Sequence, residues 1–304
     1  LPSTTIPQIV SHLTVKRVCI IFNPNARGAK SRHVLDFLAG KATPDGSIQL
    51  SPTQLPGDAT RLAAMAVADG CEVIVAAGGD GTINEVVNGI ALSGVPLAVV
   101  PTGTVNVFAR EHGIPLEMEA AWERLAAGAT RTIDLGCAES HGAKRYFAQL
   151  AGVGLDAVSV RETSWELKKK IGPLSYIWAG LKAIATHRAE VDVHGGNVEA
   201  RGGLVLIGNG RLYGGQFAVF PKARTDDGLL DVCVFHNHGY GNVLRYLQGV
   251  MRGVHTTFKD VTYFQCERIE CTAAEPVPFE VEGDLAGGVP ATFSIVPRAL
   301  RILV

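Results

Sequence analysis

Gly78-Gly79-Asp80-Gly81-Thr82 is the segment of this sequence with the most evident chemistry. Apolar residues run up to Ala77 before it, and Ile83, Val86, Val87 and Ile90 follow at helical spacing. Glycines let the main chain approach a phosphate closely and adopt positive φ. A helix starting behind them aims free N–H groups and its positive dipole end at the same place. Asp80 would repel a bare phosphate, so the loop suits a phosphate accompanied by a divalent cation. Mg²⁺ is commonly held by one carboxylate plus substrate phosphates. The plain alternative is a tight turn without a ligand, although an ordinary strand-to-helix turn needs one glycine, not three. Thr82 and Glu85 also have the spacing of a capping box.

Two further loops have the composition to join this one. Asn23-Pro24-Asn25-Ala26-Arg27-Gly28 follows one apolar run, and Pro101-Thr102-Gly103-Thr104-Val105-Asn106 follows another. In a parallel sheet such loops emerge at the carboxyl edge, where ligands bind. With Asn23, Thr104 and Asn106 they form a polar cradle for a nucleotide. Gly152-Val153-Gly154-Leu155-Asp156-Ala157 formally matches a dinucleotide fingerprint, but no acidic residue lies at the required distance beyond it. His236-Asn237-His238 lacks a third ligand for zinc.

The elements that must position these loops read as an α/β domain over residues 1–135 and an antiparallel β-sandwich over 136–304. Strands are expected at Val18–Phe22, Ile48–Ser51, Glu72–Ala77 and Leu97–Val100. Helices alternate with them, which implies a parallel sheet covered on both faces. Beyond Asp134-Leu135-Gly136 short β-branched runs follow one another: Tyr146–Leu150, Val191–His194, Leu204–Ile207, Leu229–Phe235, Val261–Cys271, Pro278–Glu282 and Thr292–Val296. Glycine pairs punctuate them, as in a sandwich. Helices are expected at Pro173–His187 and Asn242–Arg252.

Length and composition fit this plan. The chain has 304 residues, 47% hydrophobic and 19% charged, with a net charge of −1. That argues for packed cores and against a broadly basic nucleic-acid-binding surface. The six cysteines are scattered without a C-x-x-C spacing and read as reduced core residues of a cytoplasmic protein. No run approaches a membrane span, and the first residues lack the pattern of a signal peptide. Between Arg161 and Arg188 six basic residues face two acidic ones. Lys168-Lys169-Lys170 there precede an amphipathic stretch with Leu174, Ile177, Trp178, Leu181 and Ile184. It is either a helix packed on the β-domain or a contact with an anionic lipid surface.

Three motifs in order resemble the diacylglycerol kinase catalytic family, which includes bacterial lipid kinases and sphingosine kinases. They are Val75 to Val86 around the glycine loop, Pro101 to Arg110, and Ala223-Arg224-Thr225-Asp226-Asp227-Gly228-Leu229-Leu230-Asp231. The resemblance spans nearly the whole chain. It implies an ATP-dependent lipid kinase in which Gly78, Gly79, Asp80, Gly81, Thr82, Ile83 and Asn84 bind ATP phosphates. Asp80 would hold the catalytic Mg²⁺, and Thr53 and Thr104 would contact ATP. Asp227, with the carbonyls of Arg224 and Leu229, would hold a structural Mg²⁺. By residue type alone Thr225-Asp226-Asp227-Gly228 is also a good turn.

The family places its general base in Asp-Gly-Glu, whereas this chain has Glu282-Gly283-Asp284. Asp284 therefore stands at the base position on a side chain one methylene shorter. Val107 replaces an Asp common among relatives. The expected reaction has ATP on the first domain, a lipid hydroxyl entering between the domains, and Asp284 accepting its proton. The lipid would be met at a membrane surface, with peripheral contact at its inner face and no nucleic-acid partner. The alternatives are an NAD kinase, which shares the glycine loop, and a catalytically impaired nucleotide-binding regulator.

Overall fold

The computed structural model describes residues 17–24, 29–162 and 189–304. The expectations for Asn25–Gly28, for Lys168–Lys170 and for the helix at Pro173–His187 fall outside the described residues. The chain forms two compact units. The first comprises the residues up to Thr132 together with Leu300–Val304, and the second comprises Ile133–Ala299.

In the first unit β1 (Val18–Phe22), α1 (Ala29–Ala39), β2 (Ile48–Pro52), α2 (Asp58–Ala68), β3 (Val73–Gly78), α3 (Asp80–Ile90) and β4 (Leu97–Pro101) alternate. Then α4 (Val107–Glu111) and α5 (Met118–Ala127) follow. The strands are parallel in the order β2-β1-β3-β4, with Phe22 level with both Pro52 and Ala77, and Gly78 level with Pro101. Every residue of β1, β3 and β4 is buried, as expected of strands covered on both faces. α3 buries Ile83, Val86, Val87 and Ile90, each contributing about 1.5–3 kcal/mol of hydrophobic stabilisation. Gly89 lets α3 lie close to α2, since a β-carbon there would stand 2.4 Å from the Thr60 carbonyl oxygen. The final residues of the chain return here, with Ile302 pairing parallel to Leu97.

The second unit is antiparallel, as expected of a sandwich. Its elements are β5 (Thr130–Ser140, entering from the first unit), β6 (Ala143–Phe147), β7 (Leu150–Gly154), α6 (Leu155–Glu162), β8 (Val191–Gly195), β9 (Val198–Gly202), β10 (Leu204–Gly208), β11 (Leu212–Tyr213) and β12 (Phe217–Ala218). They continue with β13 (Leu230–Phe235), α7 (Tyr240–Met251), a 3-10 turn at His255–Thr257, β14 (Val261–Cys266), β15 (Arg268–Thr272), β16 (Pro278–Val281), β17 (Asp284–Gly288) and β18 (Ala291–Leu303). One sheet runs β14-β13-β10-β7-β16-β17, and β18-β15-β8-β9 lie in another. Phe147, Val205, Ile269, Phe279 and Phe293 belong to one buried core.

Two expected strands are each divided. The Val261–Cys271 run breaks at Glu267, so β14 and β15 lie in different sheets, as strands at sandwich corners do. The Tyr146–Leu150 run breaks at Ala148 and Gln149, whose N–H groups bond the Glu282 side chain and not a strand. All six cysteines are free and buried, in agreement with their reading as core residues.

Candidate active site

Four loops leave the same edge of the parallel sheet, because the carboxyl ends of β1 to β4 are level. Asn23 follows β1 and is exposed, and Thr53 follows β2 and is buried, its N–H bonded to the Phe22 carbonyl at 2.9 Å. The strand order reverses direction between β1 and β3, the place where open α/β sheets form their ligand crevice. Asn23 and Gly78 stand at the two sides of that point.

The glycine loop departs from expectation in its backbone. None of Gly78, Gly79 and Gly81 has positive φ; closeness is what demands glycine. A β-carbon on Gly78 would lie 2.5 Å from Thr82 Cβ, and one on Gly103 would lie 2.6 Å from Gly79 Cα. The β3 and β4 loops thus touch main chain to main chain. A β-carbon on Gly81 would meet nothing within 4 Å.

The capping box also fails. α3 starts at Asp80, not near Ile83, which puts Thr82 inside the first turn and makes Gly79 the N-cap. Glu85 caps a different helix, its Oε2 accepting the Ala59 N–H at 3.0 Å at the start of α2.

Asp80 reaches across to the neighbouring loop, where its Oδ1 accepts the Phe108 N–H at 3.2 Å. Asn106 caps that loop in the left-handed region at φ 54°, and its Nδ2 donates to the Gly103 carbonyl at 3.0 Å. Its Oδ1 is buried without a donor. Thr104 is exposed. Ile83 is buried in the core, and Asn84 is buried with Asn88 bonded to its side chain at 3.2 Å.

In the second unit, Glu282-Gly283 form a two-residue turn joining β16 to β17, with Val281 opposite Asp284. Both turn residues have positive φ, 55° and 85°, as a type I′ turn requires. Glu282 is tied down, its Oε1 accepting the N–H groups of Ala148 at 2.8 Å and Gln149 at 2.7 Å. Asp284 is exposed and pairs with Arg145 at 3.2 Å. The exchange of acids thus leaves the longer side chain as an anchor and the shorter one accessible.

At the third motif Asp227 Oδ1 accepts the Leu229 N–H at 3.1 Å, and Arg224 pairs with Asp226 at 3.3 Å. Partial burial, with Asp134 and Asp226 adding negative charge, pushes the Asp227 carboxyl above its usual range. Asp134, which the sequence reading passed over, organises this turn. It is buried, its Oδ2 accepts the Gly228 N–H at 2.8 Å, and its N–H donates to the Thr225 carbonyl at 2.7 Å. Its only sequence signal was a lone acid between Ile133 and Leu135. Among the described residues no group of three or more His, Cys, Asp or Glu has metal-holding geometry.

A model of the diacylglycerol kinase catalytic domain matches residues 17–138, and one of the YegS C-terminal NAD kinase beta sandwich-like domain matches residues 150–304. A protein named diacylglycerol kinase from Bacillus subtilis is 30% identical over 297 residues, covering 95% of this chain and 96% of that protein. The chain belongs to the diacylglycerol kinase catalytic family. Another member, named "Probable lipid kinase YegS-like", from Pseudomonas aeruginosa, is 36% identical over 252 residues, 81% of each chain. A crystal structure of a diacylglycerol kinase from Bacillus anthracis shares the fold, with a TM-score of 0.74 at 24% identity, covering 95% of this chain and 97% of that one. The family makes this chain an enzyme of the lipid-kinase class.

Proposed function

We propose that the chain transfers the γ-phosphoryl group of ATP to the hydroxyl of a lipid of the diacylglycerol type. The observation that supports this most is the opening at Gly81, beside Asp80 and at the head of α3. Glycine in a helix costs about 0.5–1 kcal/mol relative to alanine, and no neighbouring atom explains it here. Space kept free beside unpaired N–H groups suits a phosphate.

The reading gives Asp80 one role and Asp284 another. Asp80 would hold a catalytic Mg²⁺, its Oδ2 being left over from the bond to Phe108. The carboxyl of Asp227 and the carbonyls of Arg224 and Leu229 are hard oxygen donors of the kind Mg²⁺ takes, and a cation would relieve the crowded negative charge there. When bound, the ion supplies charge neutralisation for the transferring phosphoryl group. Asp284 accepts the proton of the attacking hydroxyl. Its exposure supports access, and Arg145 would hold it oriented.

A membrane partner is supported by α7. Tyr240, Leu244, Leu247, Met251 and Val254 are exposed at helical spacing. No acidic residue occurs between Asp231 and Asp260, while Arg252 and Lys259 are exposed. Such a face suits the inner surface of an anionic bilayer. Among the described residues no helix is long and apolar enough to cross a membrane.

Radiolabelled ATP supplied with a total lipid extract tests the reading, with labelled lipid expected. The NAD kinase likeness of residues 150–304 favours one rival acceptor, so NAD is run beside it. Label in NAD and none in lipid would replace this function with the rival.

A further inference from the structure

Beneath the Glu282-Gly283-Asp284 turn two carboxyl groups are buried together. Asp156, the second residue of α6, is 9% exposed, and Glu280 in β16 is 1% exposed. Neither pairs with a basic group among the described residues. Asp156 Oδ1 accepts the Tyr213 hydroxyl at 2.6 Å, and Glu280 Oε2 accepts the Gly283 N–H at 2.5 Å. Their other oxygens, Asp156 Oδ2 and Glu280 Oε1, are enclosed with no N–H or O–H from elsewhere aimed at them. The two carboxyl groups are neighbours, each close enough to act on the other. Strand β7 makes room for this. Gly152 lies opposite Glu280 in the ladder, and a β-carbon there would stand 2.1 Å from Asp156 Oδ2.

Two carboxylate oxygens cannot bond without a proton between them. We infer that Asp156 Oδ2 and Glu280 Oε1 share one proton, and that this acid pair positions the turn that carries Asp284. The pair keeps a single negative charge, and every oxygen then has a donor or a proton. Glu280 can go on accepting from Gly283, whose N–H fixes the turn two residues beyond Val281.

Among the described residues the surroundings supply no counter-charge. Tyr213 comes from β11, Glu282 from the turn, and Asp284 from β17, where Arg145 of β6 pairs with it. Lys144 of β6 pairs with Glu139. β7 and β10 carry no titratable side chain. Burial pushes both carboxyls upward, and the charge of Asp156 raises Glu280 further, as when two acids occupy one site.

A carboxyl that keeps its proton in the folded chain, and loses it near pH 4.3 in the unfolded one, makes stability fall as pH rises through that window. Glu280→Gln removes the proton but not the bonds, because its amide can donate to Asp156 and still accept from Gly283. Glu280→Ala removes both. The positioning role rests on Asp284 being the proton acceptor, whereas the shared proton does not.

Full-length wild type, E280Q and E280A separate these points. Infrared spectra at pH 7 should show an un-ionised carboxyl band in wild type that E280Q lacks. Between pH 5 and 6 the folding equilibrium constant of wild type should drop about tenfold more per pH unit than that of E280Q. E280Q should keep kcat within about threefold, while E280A should lose at least about tenfold with the KM for ATP nearly unchanged. Parallel stability curves without the infrared band would overturn the shared proton, and E280A with wild-type kcat would overturn the positioning role. Should E280A not fold, a tenfold loss of kcat in folded E280Q would overturn that role instead. If wild type labels no lipid, the reading of Asp284 fails while the spectra and stability curves still decide on the proton.

Discussion

At the scale of single residues, Gly81 and Asp284 separate binding from chemistry. Gly81→Ala meets no neighbour, so it should raise stability by about 0.5–1 kcal/mol through helix propensity. The added methyl group would occupy the space assigned to phosphate, so the KM for ATP should rise. Thermal melts beside ATP titrations check both, and a stabilised variant with unchanged KM would leave that opening without a nucleotide. Asp284→Asn should behave in the opposite sense, lowering kcat by about 10²–10⁴-fold and sparing ATP binding. Full turnover in that variant would pass the proton to another group. What the sequence could tell at this scale was residue type. Gly78 and Gly103 were legible as glycines of a loop, but not that closeness, rather than φ, requires them. That depends on Thr82 and on the facing loop, which are set by tertiary packing.

Elements were legible where one period dominated. The buried runs of β1, β3 and β4 and the apolar face of α3 needed only local pattern. Boundaries were lost where a distant side chain intervened. Glu85, expected to cap its own helix, caps α2, and Glu282 splits one expected strand into β6 and β7 by taking two main-chain N–H groups. Glu85→Ala should therefore weaken the packing of α2, costing about 0.5–2 kcal/mol, as read by denaturant titration. If the spacing with Thr82 mattered instead, Thr82→Ala would reproduce that loss. On α7, Leu244→Glu combined with Leu247→Glu should reduce sedimentation with anionic vesicles. It should also slow phosphorylation of vesicle lipid more than of detergent-dispersed lipid. Equal slowing in both would remove the helix from the membrane surface.

At the scale of the whole molecule, the two-part plan was legible because parallel and antiparallel segments differ in texture along the sequence. The return of Leu300–Val304 to the first unit was not, since a terminal apolar run looks alike in either sheet. The two units carry opposite responses to pH. In the first, burial beside Arg131 depresses the His112 pKa to about 3, so the folded imidazole stays neutral. The unfolded chain takes up that proton below about pH 6.5, and the first unit loses stability as pH falls from there toward 3. In the second, the Asp156–Glu280 pair acts the other way, losing stability as pH rises. The chromophores allow each to be followed alone, because all six tyrosines lie in residues 133–299 and Trp122 is the single tryptophan before them. With Trp165 and Trp178 replaced by Phe, Trp122 fluorescence should report a first-unit transition that weakens between pH 6 and 4. Tyrosine absorbance should report a second-unit transition that strengthens over the same range. His112→Gln should flatten the first without moving the second. Two signals that shift together in every variant would mean one cooperative transition governs the chain, and neither group could then be assigned its own limb.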